Sequence, residues 1–156
     1  MSVLILSDAE VRELLDMESC IDAMADVLAA LQRKELSMPL RFIFRPTSAT
    51  SLMGFMPAHR GGDAPLFSLK EIVISPHNSA RGMDPHQGAV LLHDGNTGEL
   101  RALLNASAVT EVRTAAVSAV ATRLLARHDS RVVAVIGAGV QGRSHIEAMG
   151  CVLPDA

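Results

Sequence analysis

Length, composition and charge already limit what this chain can be. Its 156 residues, 49% of them hydrophobic and 20% charged, can build one domain, or one domain and part of another. This composition excludes general disorder, and a formal net charge of −3 gives no electrostatic footprint for nucleic acid. There is no apolar run of membrane-spanning length and no recognisable signal peptide. With only two cysteines as well, we expect a reduced, cytoplasmic protein without a membrane partner.

The beginning of the chain predicts two helices. Ser7 and Glu10 have the spacing of a capping box, which satisfies free backbone amides at a helix start, so a short helix is expected to about Leu15. Asp16 can cap a second helix, in which apolar residues recur at spacings of three and four. This single apolar stripe ends near Lys34 and predicts a helix that packs one face against a core.

The middle of the chain is typical of β-structure. Five segments alternate or run apolar over strand lengths, and the last two flank a glycine-containing turn that indicates a hairpin. These segments are residues 40–45, 51–56, 66–75, 88–93 and 99–104. Residues 3–6 favour an edge strand, residues 76–87 a polar loop, and residues 107–126 a long helix. We therefore predict an α+β domain with a mixed or antiparallel sheet.

The pattern of apolar residues and glycines changes near residue 128. Val132 to Ile136 form a continuous apolar run, typical of a strand buried on both faces of a parallel sheet. The glycines of a G-x-G-x-x-G pattern follow directly at Gly137, Gly139 and Gly142, where they allow a tight turn and let backbone amides approach a pyrophosphate. We predict that residues 129–156 are the first β-turn-α of an incomplete Rossmann domain, after a domain of residues 1–128. The alternative is an ordinary glycine-rich turn.

A second signature of dinucleotide folds is an acidic residue about 20 positions beyond the first glycine, which contacts the adenosine ribose. Asp155 lies near that distance, but the sequence supplies no second strand to hold it in a sheet. No metal site is expected, because the six histidines show no ligand spacing on any one element.

Two cations lie where the pattern predicts apolar surroundings. Lys70 shares a strand face with Ser68 and Ile72, so it either extends to water or serves a site that needs its charge or a lowered pKa. Arg113 stands in a helix of small apolar residues. If that helix is buried, the guanidinium requires an anion, which is either a protein carboxylate or a ligand carboxylate or phosphate. Arg41, on the polar side of its strand, taken alone reads as a surface residue.

Taken together, the motifs resemble the ornithine cyclodeaminase/mu-crystallin family. Seven segments carry the resemblance and are spaced in order along nearly the whole chain: Met38-Pro39-Leu40-Arg41, Phe55-Met56-Pro57-Ala58, Leu69-Lys70, Pro76-His77-Asn78, Thr97-Gly98, Thr110-Glu111-Val112-Arg113-Thr114-Ala115-Ala116 and Gly137-Ala138-Gly139-Val140-Gln141. The family is about twice as long as this chain. The resemblance implies its N-terminal half: a domain that binds substrate and forms a homodimer, followed by the start of a Rossmann domain for NAD or NADP.

The resemblance also implies roles for individual residues. Arg41 and Arg113 would hold the carboxylate of a small amino or imino acid, and Lys70 would bind substrate and act catalytically, at the reacting nitrogen or as proton donor. The cofactor would be bound by Arg113, Thr114, Gly137, Gly139, Val140 and Gln141. Family members reduce the C=N bond of a ketimine or cyclic imino acid, dehydrogenate an amino acid, or deaminate and cyclise one.

One position separates the branches of the family. Ornithine cyclodeaminases resemble each other in a glutamate three residues before the proline of the Met-Pro motif, and here that place is Gly54, as in the mu-crystallin-like branch. This favours an NAD(P)-dependent imine reductase or amino-acid dehydrogenase. The alternatives are an ornithine cyclodeaminase, which converts ornithine to proline and ammonia, and a non-catalytic dimerisation or small-molecule-binding module. The 156 residues by themselves are expected to be inactive.

Overall fold

The computed structural model describes residues 2–153, so Asp155 lies outside the described residues. Seven strands and four α-helices occur in this range, with a short 3₁₀ turn at Pro76–Arg81. In chain order they are β1 (Leu4–Leu6), α1 (Asp8–Leu14), α2 (Met17–Gln32), β2 (Leu36–Ser37), β3 (Phe42–Phe44), β4 (Leu52–Arg60), β5 (Leu66–Ile74), β6 (His86–Asp94), β7 (Leu100–Asn105), α3 (Ala106–Leu125) and α4 (Val140–Val152). Within the described range, no helix is long and apolar enough to cross a membrane.

Side-chain caps fix the starts of α1, α2 and α3, as predicted for the first two. The Ser7 amide donates to the Glu10 carboxylate at 2.8 Å, and the Glu10 amide donates back to the Ser7 hydroxyl at 3.4 Å, which completes the capping box. Asp16 accepts from the amide of Ser19 at 2.8 Å at the start of α2. Asn105 caps α3 in the same way and ends β7 at the same point.

The seven strands form one mixed sheet in the order β1-β7-β6-β5-β4-β2, with β3 also paired to β4. β1 runs parallel to β7, and the other pairings are antiparallel. The expected α+β fold with a mixed sheet is therefore confirmed. The three nine-residue strands β4, β5 and β6 pair along their full length and form a wide, regular centre that holds Lys70.

The sheet has one covered face and one open face. Because strand side chains alternate, Lys70 and Ile72 point to the same face, and this covered face packs beneath α3. Ile72 is only 5% exposed there. The opposite, open face is largely apolar, although Glu71, His59 and His93 also lie on it, and no element of residues 2–153 packs on it. Its side chains include Phe42, Phe44, Phe55, Phe67, Leu69, Leu91 and Leu103.

Two predicted strands have different bounds in the structure. β3 covers only Phe42–Phe44, so Arg41 precedes the strand. β4 continues to Arg60 through Pro57, a residue that cannot donate a ladder hydrogen bond. It is accommodated because Pro57 lies between the part of β4 that pairs with β3 and the part that pairs with β2.

The predicted strand at Val132 to Ile136 is wrong for this structure. Residues 131–138 have no regular secondary structure, and Val132 is 87% exposed. The physical reason is that a strand needs a hydrogen-bonded neighbour, and the described residues provide none for this segment. The helix after the glycines does form, as α4, and it packs on α2 and α3 through Ala148, Met149 and Val152. The small residues of α3 permit this close approach.

Candidate active site

Lys70 lies at the centre of the sheet, on the covered face. It pairs with Met56 of β4 and Val90 of β6, and its Nζ donates to the Thr110 hydroxyl of α3 at 3.0 Å. The side chain is half-buried under the helix. Burial, and then the charges of Arg113 and Arg41, lower the pKa of Lys70 to about 8. That Lys70 serves a site stays a prediction.

Arg113 is a half-buried cation without a protein counter-ion. It lies one helical turn beyond Thr110 on α3, so both residues share the face that looks toward Lys70. Among residues 2–153, no carboxylate forms a salt bridge with Arg113. The nearby Glu111 is instead bound by Arg12 of α1 at 2.7 Å. Burial, and then the charge of Arg41, lower the pKa of Arg113, so an anion at this place would relieve an unfavourable state.

Arg41 adds a third cation from the segment just before β3. In that strand Ile43 lies over Gly54 on the covered face, and Arg41 is close enough to Lys70 and Arg113 to influence both. Its side chain is exposed, and its charge lowers the pKa of both Lys70 and Arg113. Three cations far apart in sequence therefore share one site and repel one another. An anion, such as a carboxylate or a phosphate, is the kind of group that such a cluster of cations can bind.

The lowered pKa of Lys70 predicts a pH-dependent stability. The folded-state pKa of about 8 is below the ordinary value of 10.5, so between these two pH values the unfolded chain binds more protons. The free energy of unfolding should therefore rise as the pH increases through this range, and Lys70→Met should remove the rise. Urea unfolding at about pH 7.5 and about pH 9.5 measures the effect.

The Cys20 thiol also affects how stability depends on pH. Burial raises its pKa, so its contribution to the free energy of unfolding falls as the pH increases. This contribution is the same in Lys70→Met and in the unmodified protein, so it cancels when the two are compared. The same pH dependence in both proteins would show that Lys70 titrates as an ordinary exposed lysine.

The glycine segment forms the turn that its pattern predicts, but outside this group of cations. Gly137 adopts a left-handed φ of +104°, and a Cβ on Gly142 would lie 2.3 Å from the Gly137 carbonyl oxygen, so both positions require glycine. Gly139 is the N-cap of α4 and provides no side-chain cap, which leaves the first amides of the helix free. Val140 and Gln141 begin that helix and are exposed. Free amides at a helix start suit a pyrophosphate.

Thr114, the remaining predicted cofactor residue, is already engaged within α3. Its hydroxyl donates to the Thr110 carbonyl at 2.6 Å. The oxygen can still accept a hydrogen bond, so a contact with a ligand stays a prediction for this residue.

Three further residues near Lys70 were not singled out by the sequence reasoning. Thr110 holds Lys70, and the Ser107 hydroxyl donates to the carbonyl of His86, which lies on the covered face of β6. Ser107, Thr110 and Arg113 recur at a spacing of three and form what we call the polar stripe of α3. That spacing on one helix face is a signal that the sequence did offer. His86 gave no such signal, because only strand pairing brings it near Lys70.

The sequence matches the model of the ornithine cyclodeaminase/mu-crystallin family over residues 1–154. Δ1-Pyrroline-2-carboxylate reductase of Bacillus cereus is 33% identical over 147 residues, which are 94% of this chain and 45% of that protein. The structure of the Thermococcus litoralis Δ1-pyrroline-2-carboxylate reductase in complex with NADH and L-proline has a TM-score of 0.89 at 31% identity and covers 96% of this chain and 46% of that one.

A third similar structure is an archaeal alanine dehydrogenase dimer with bound NAD. It has a TM-score of 0.91 at 28% identity and covers 99% of this chain and 47% of that one. The chain thus spans about half the length of the relatives it matches. The family match extends over both the three-cation group and the glycine turn. The chain belongs to the ornithine cyclodeaminase/mu-crystallin family.

Proposed function

We propose that this chain supplies the substrate-binding residues of an NAD(P)-dependent oxidoreductase that acts on the C–N bond of a small amino or imino acid. The observation that carries the proposal is the half-buried Arg113, which faces Lys70 and has no carboxylate partner in residues 2–153. Unpaired, half-buried cations lower the stability of the folded protein, and a ligand anion that binds them gives a reason to keep them. The names of the similar proteins support a cyclic imino acid as that ligand.

In this proposal each cation has a distinct task. The planar guanidinium of Arg113 binds the substrate carboxylate in a bidentate manner, and Arg41, on the exposed side of the site, closes over it. This fixes the carbon–nitrogen bond relative to Lys70. With a pKa of about 8, the ammonium of Lys70 is still protonated at neutral pH but releases its proton readily. Lys70 therefore provides the proton that the imine nitrogen takes up on reduction.

The glycine turn fits the phosphates of NAD or NADP. The left-handed Gly137, the close approach of Gly142 to the Gly137 carbonyl and the free amides after Gly139 form this turn, and a Cβ at Gly142 would collide with backbone. When bound, the nicotinamide supplies or accepts the hydride. Val140 and Gln141 would hold the pyrophosphate, and Arg113 and Thr114 would face the cofactor from α3.

Gly54 supports imine reduction over ornithine cyclodeamination. The residue is buried on the covered face, and a Cβ there would lie 3.2 Å from Ile43 Cδ1 and 3.3 Å from Ile72 Cγ1. The glutamate expected for an ornithine cyclodeaminase would have to displace these two isoleucine side chains.

A chimeric protein tests the proposed activity. Residues 1–128 are joined to the remaining half of the Bacillus cereus reductase, and oxidation of NADH and NADPH is followed with Δ1-pyrroline-2-carboxylate. We expect turnover that Lys70→Met lowers by about a hundredfold or more, because a positioned proton donor is lost. The 156-residue chain, assayed alongside, should show none. A chimera that binds NADH but oxidises it with no C=N substrate would disprove the reductase proposal and favour a non-catalytic binding module.

We also propose that two copies of the chain associate through the open face of the sheet. Phe42 and Phe55 lie on this face with ring centroids 6.0 Å apart, and Phe42, Phe44 and Phe67 are each about half exposed or more. An apolar surface of this extent is rarely left to water in a soluble protein. The similar alanine dehydrogenase is a dimer, which supports a second copy as the occupant.

Replacement of Leu91 tests the proposed dimer. Leu91 lies at the centre of the open face, between Leu69 of β5 and Leu103 of β7. Leu91→Lys should convert the dimer to a monomer, because two ammonium groups would face each other across an apolar contact. Sedimentation equilibrium measures the mass. The control is Leu125→Lys, at an 83% exposed residue on the end of α3, which should remain dimeric. A monomeric unmodified protein would contradict the assignment.

A further inference from the structure

The amine of Lys70 has no anionic partner in the described chain. Its Nζ donates to the Thr110 hydroxyl at 3.0 Å, and none of the salt bridges within residues 2–153 includes Lys70. A hydroxyl accepts a hydrogen bond from an ammonium and can equally donate one to a neutral amine. Thr110 therefore serves both protonation states of Lys70, and no carboxylate in this range holds the lysine in its charged form.

The neighbouring cations favour the neutral amine of Lys70. Burial, and then the charges of Arg113 and Arg41, bring the pKa of Lys70 down to about 8, so about half of the amine is unprotonated at that pH. An unprotonated lysine has a free electron pair on its nitrogen and is a nucleophile. Lys70 retains some solvent exposure and Arg41 is exposed, so the group is not sealed from solvent.

An anion on Lys70 itself would remove the repulsion within the three-cation group. Arg113 is half-buried and, within residues 2–153, takes part in no salt bridge. A carbamate on Nζ would change the charge of Lys70 from positive to negative and offer planar oxygens, like those of a carboxylate, to Arg113 and Arg41. The two arginines that destabilise the ammonium would then stabilise the modified side chain. Carbon dioxide is also small, so the product needs less room than a bound amino acid.

We propose that Lys70 is a site of reversible carbamylation by carbon dioxide. The electron pair of Nζ attacks the carbon of carbon dioxide, a nitrogen–carbon bond forms, and the electron pair of one carbon–oxygen π bond moves to oxygen. The nitrogen then releases one proton to the solvent, and nothing is oxidised or reduced. The inference does not depend on the proposed function, but the two are linked. A carbamate would occupy the same arginines as a substrate carboxylate, so carbon dioxide and L-proline should exclude each other.

Carbon-13 NMR of the 156-residue protein in carbon-13-labelled bicarbonate, at about pH 8, tests the inference. The chain has two lysines, Lys34 and Lys70, so the exposed Lys34 is a control within the same sample. We expect a carbamate carbon signal that correlates with the Cε protons of Lys70. Its occupancy should be at least about tenfold higher than at Lys34, because Arg33 beside Lys34 is already paired with Glu35. The N-terminal amine gives a separate signal, which Lys70→Met retains while the Lys70 signal is lost.

Matched arginine variants show whether the three-cation group stabilises the carbamate. Arg113→Gln should lower the occupancy at Lys70 about tenfold, whereas Arg123→Gln, which removes an exposed arginine of the same helix, should leave it unchanged. Amide spectra of both variants check that the fold is kept. The comparison of Lys70 with Lys34 in the unmodified protein needs no variant.

The outcomes separate this inference from the proposed function. The absence of a carbamate signal at Lys70, or equal occupancy at both lysines, would overturn the inference. A bicarbonate signal that shifts without correlating with lysine protons would also overturn it, because the anion would then be bound without a covalent bond. If L-proline binds in bicarbonate-free buffer but no carbamate forms in bicarbonate, only the inference fails. If the carbamate forms and L-proline does not displace it, carbamylation stands and the proposed substrate site is wrong.

Discussion

Arg113→Ala is expected to weaken carboxylate binding strongly without unfolding the protein. The substitution removes the planar guanidinium that can bind a carboxylate in a bidentate manner, a loss of about 2–4 kcal/mol, or roughly 30- to 1000-fold in affinity. Stability should hold or increase, because Arg113 is half-buried without a protein carboxylate in the described chain, and alanine is a better helix former. NMR titration with L-proline and a thermal melt measure the two effects.

Two control variants accompany Arg113→Ala. Arg123→Ala removes an exposed arginine of the same helix that pairs with Asp22 of α2 at 3.0 Å, and it should leave L-proline binding unchanged. Arg113→Lys keeps the charge but loses the planar fork, so an intermediate affinity is expected. Unchanged affinity in Arg113→Ala would remove Arg113 from the substrate site. A collapse of its melting temperature would indicate a structural role for the guanidinium.

Gly88→Ala should lower the free energy of unfolding more than a conservative substitution at a surface residue does. A Cβ at Gly88 would lie 2.1 Å from the Glu71 carbonyl oxygen and 2.8 Å from the Ile72 Cα, which are backbone atoms that cannot rotate away. The β5–β6 pairing at Ile72 must therefore open, at an expected cost of about 3–5 kcal/mol in the free energy of unfolding. Urea denaturation measures this cost. The altered pairing should also displace Lys70, which is two residues from Ile72 on β5, and this should weaken L-proline binding.

The control for Gly88→Ala is Gly98→Ala. Gly98 also has a positive φ, +75°, but nothing lies within 4 Å of a Cβ built there. Its substitution should cost only the backbone strain of about 1–2 kcal/mol. Equal losses in the two variants would mean that strand β6 can shift away from Glu71, and that the close β5–β6 approach is not required for the fold.

Local sequence signals predicted most of the secondary structure. The capping box of Ser7 and Glu10 and the cap at Asp16 act within three residues, so their geometry is contained in the sequence itself. Strand alternation also placed Lys70 on the same face as Ile72. The run from Val132 to Ile136 shows the limit of such reasoning. An apolar run becomes a strand only where a partner strand accepts its hydrogen bonds, and the described residues contain none for it.

The site depends on contacts between residues that are far apart in the chain. Lys70 meets Thr110 across 40 positions, and Arg41 reaches the same face only because β3 pairs with β4. The pattern made Arg113 conspicuous as a lone guanidinium, but it gave no sign that Arg12 of α1 pairs with Glu111 on the same helix. Strand register and helix packing determine these relations, and a single sequence does not encode them in any local period.

A crystal structure with pyrrole-2-carboxylate tests the central claim most directly. This planar compound resembles Δ1-pyrroline-2-carboxylate but has no C=N bond to reduce, so it can occupy the site without reacting. The proposed site predicts its carboxylate on the guanidinium of Arg113, with Arg41 closing from β3 and the ring nitrogen within about 3 Å of Lys70 Nζ. A ligand bound elsewhere, while Arg113 pairs with a protein carboxylate, would contradict the claim that these three cations form the substrate site.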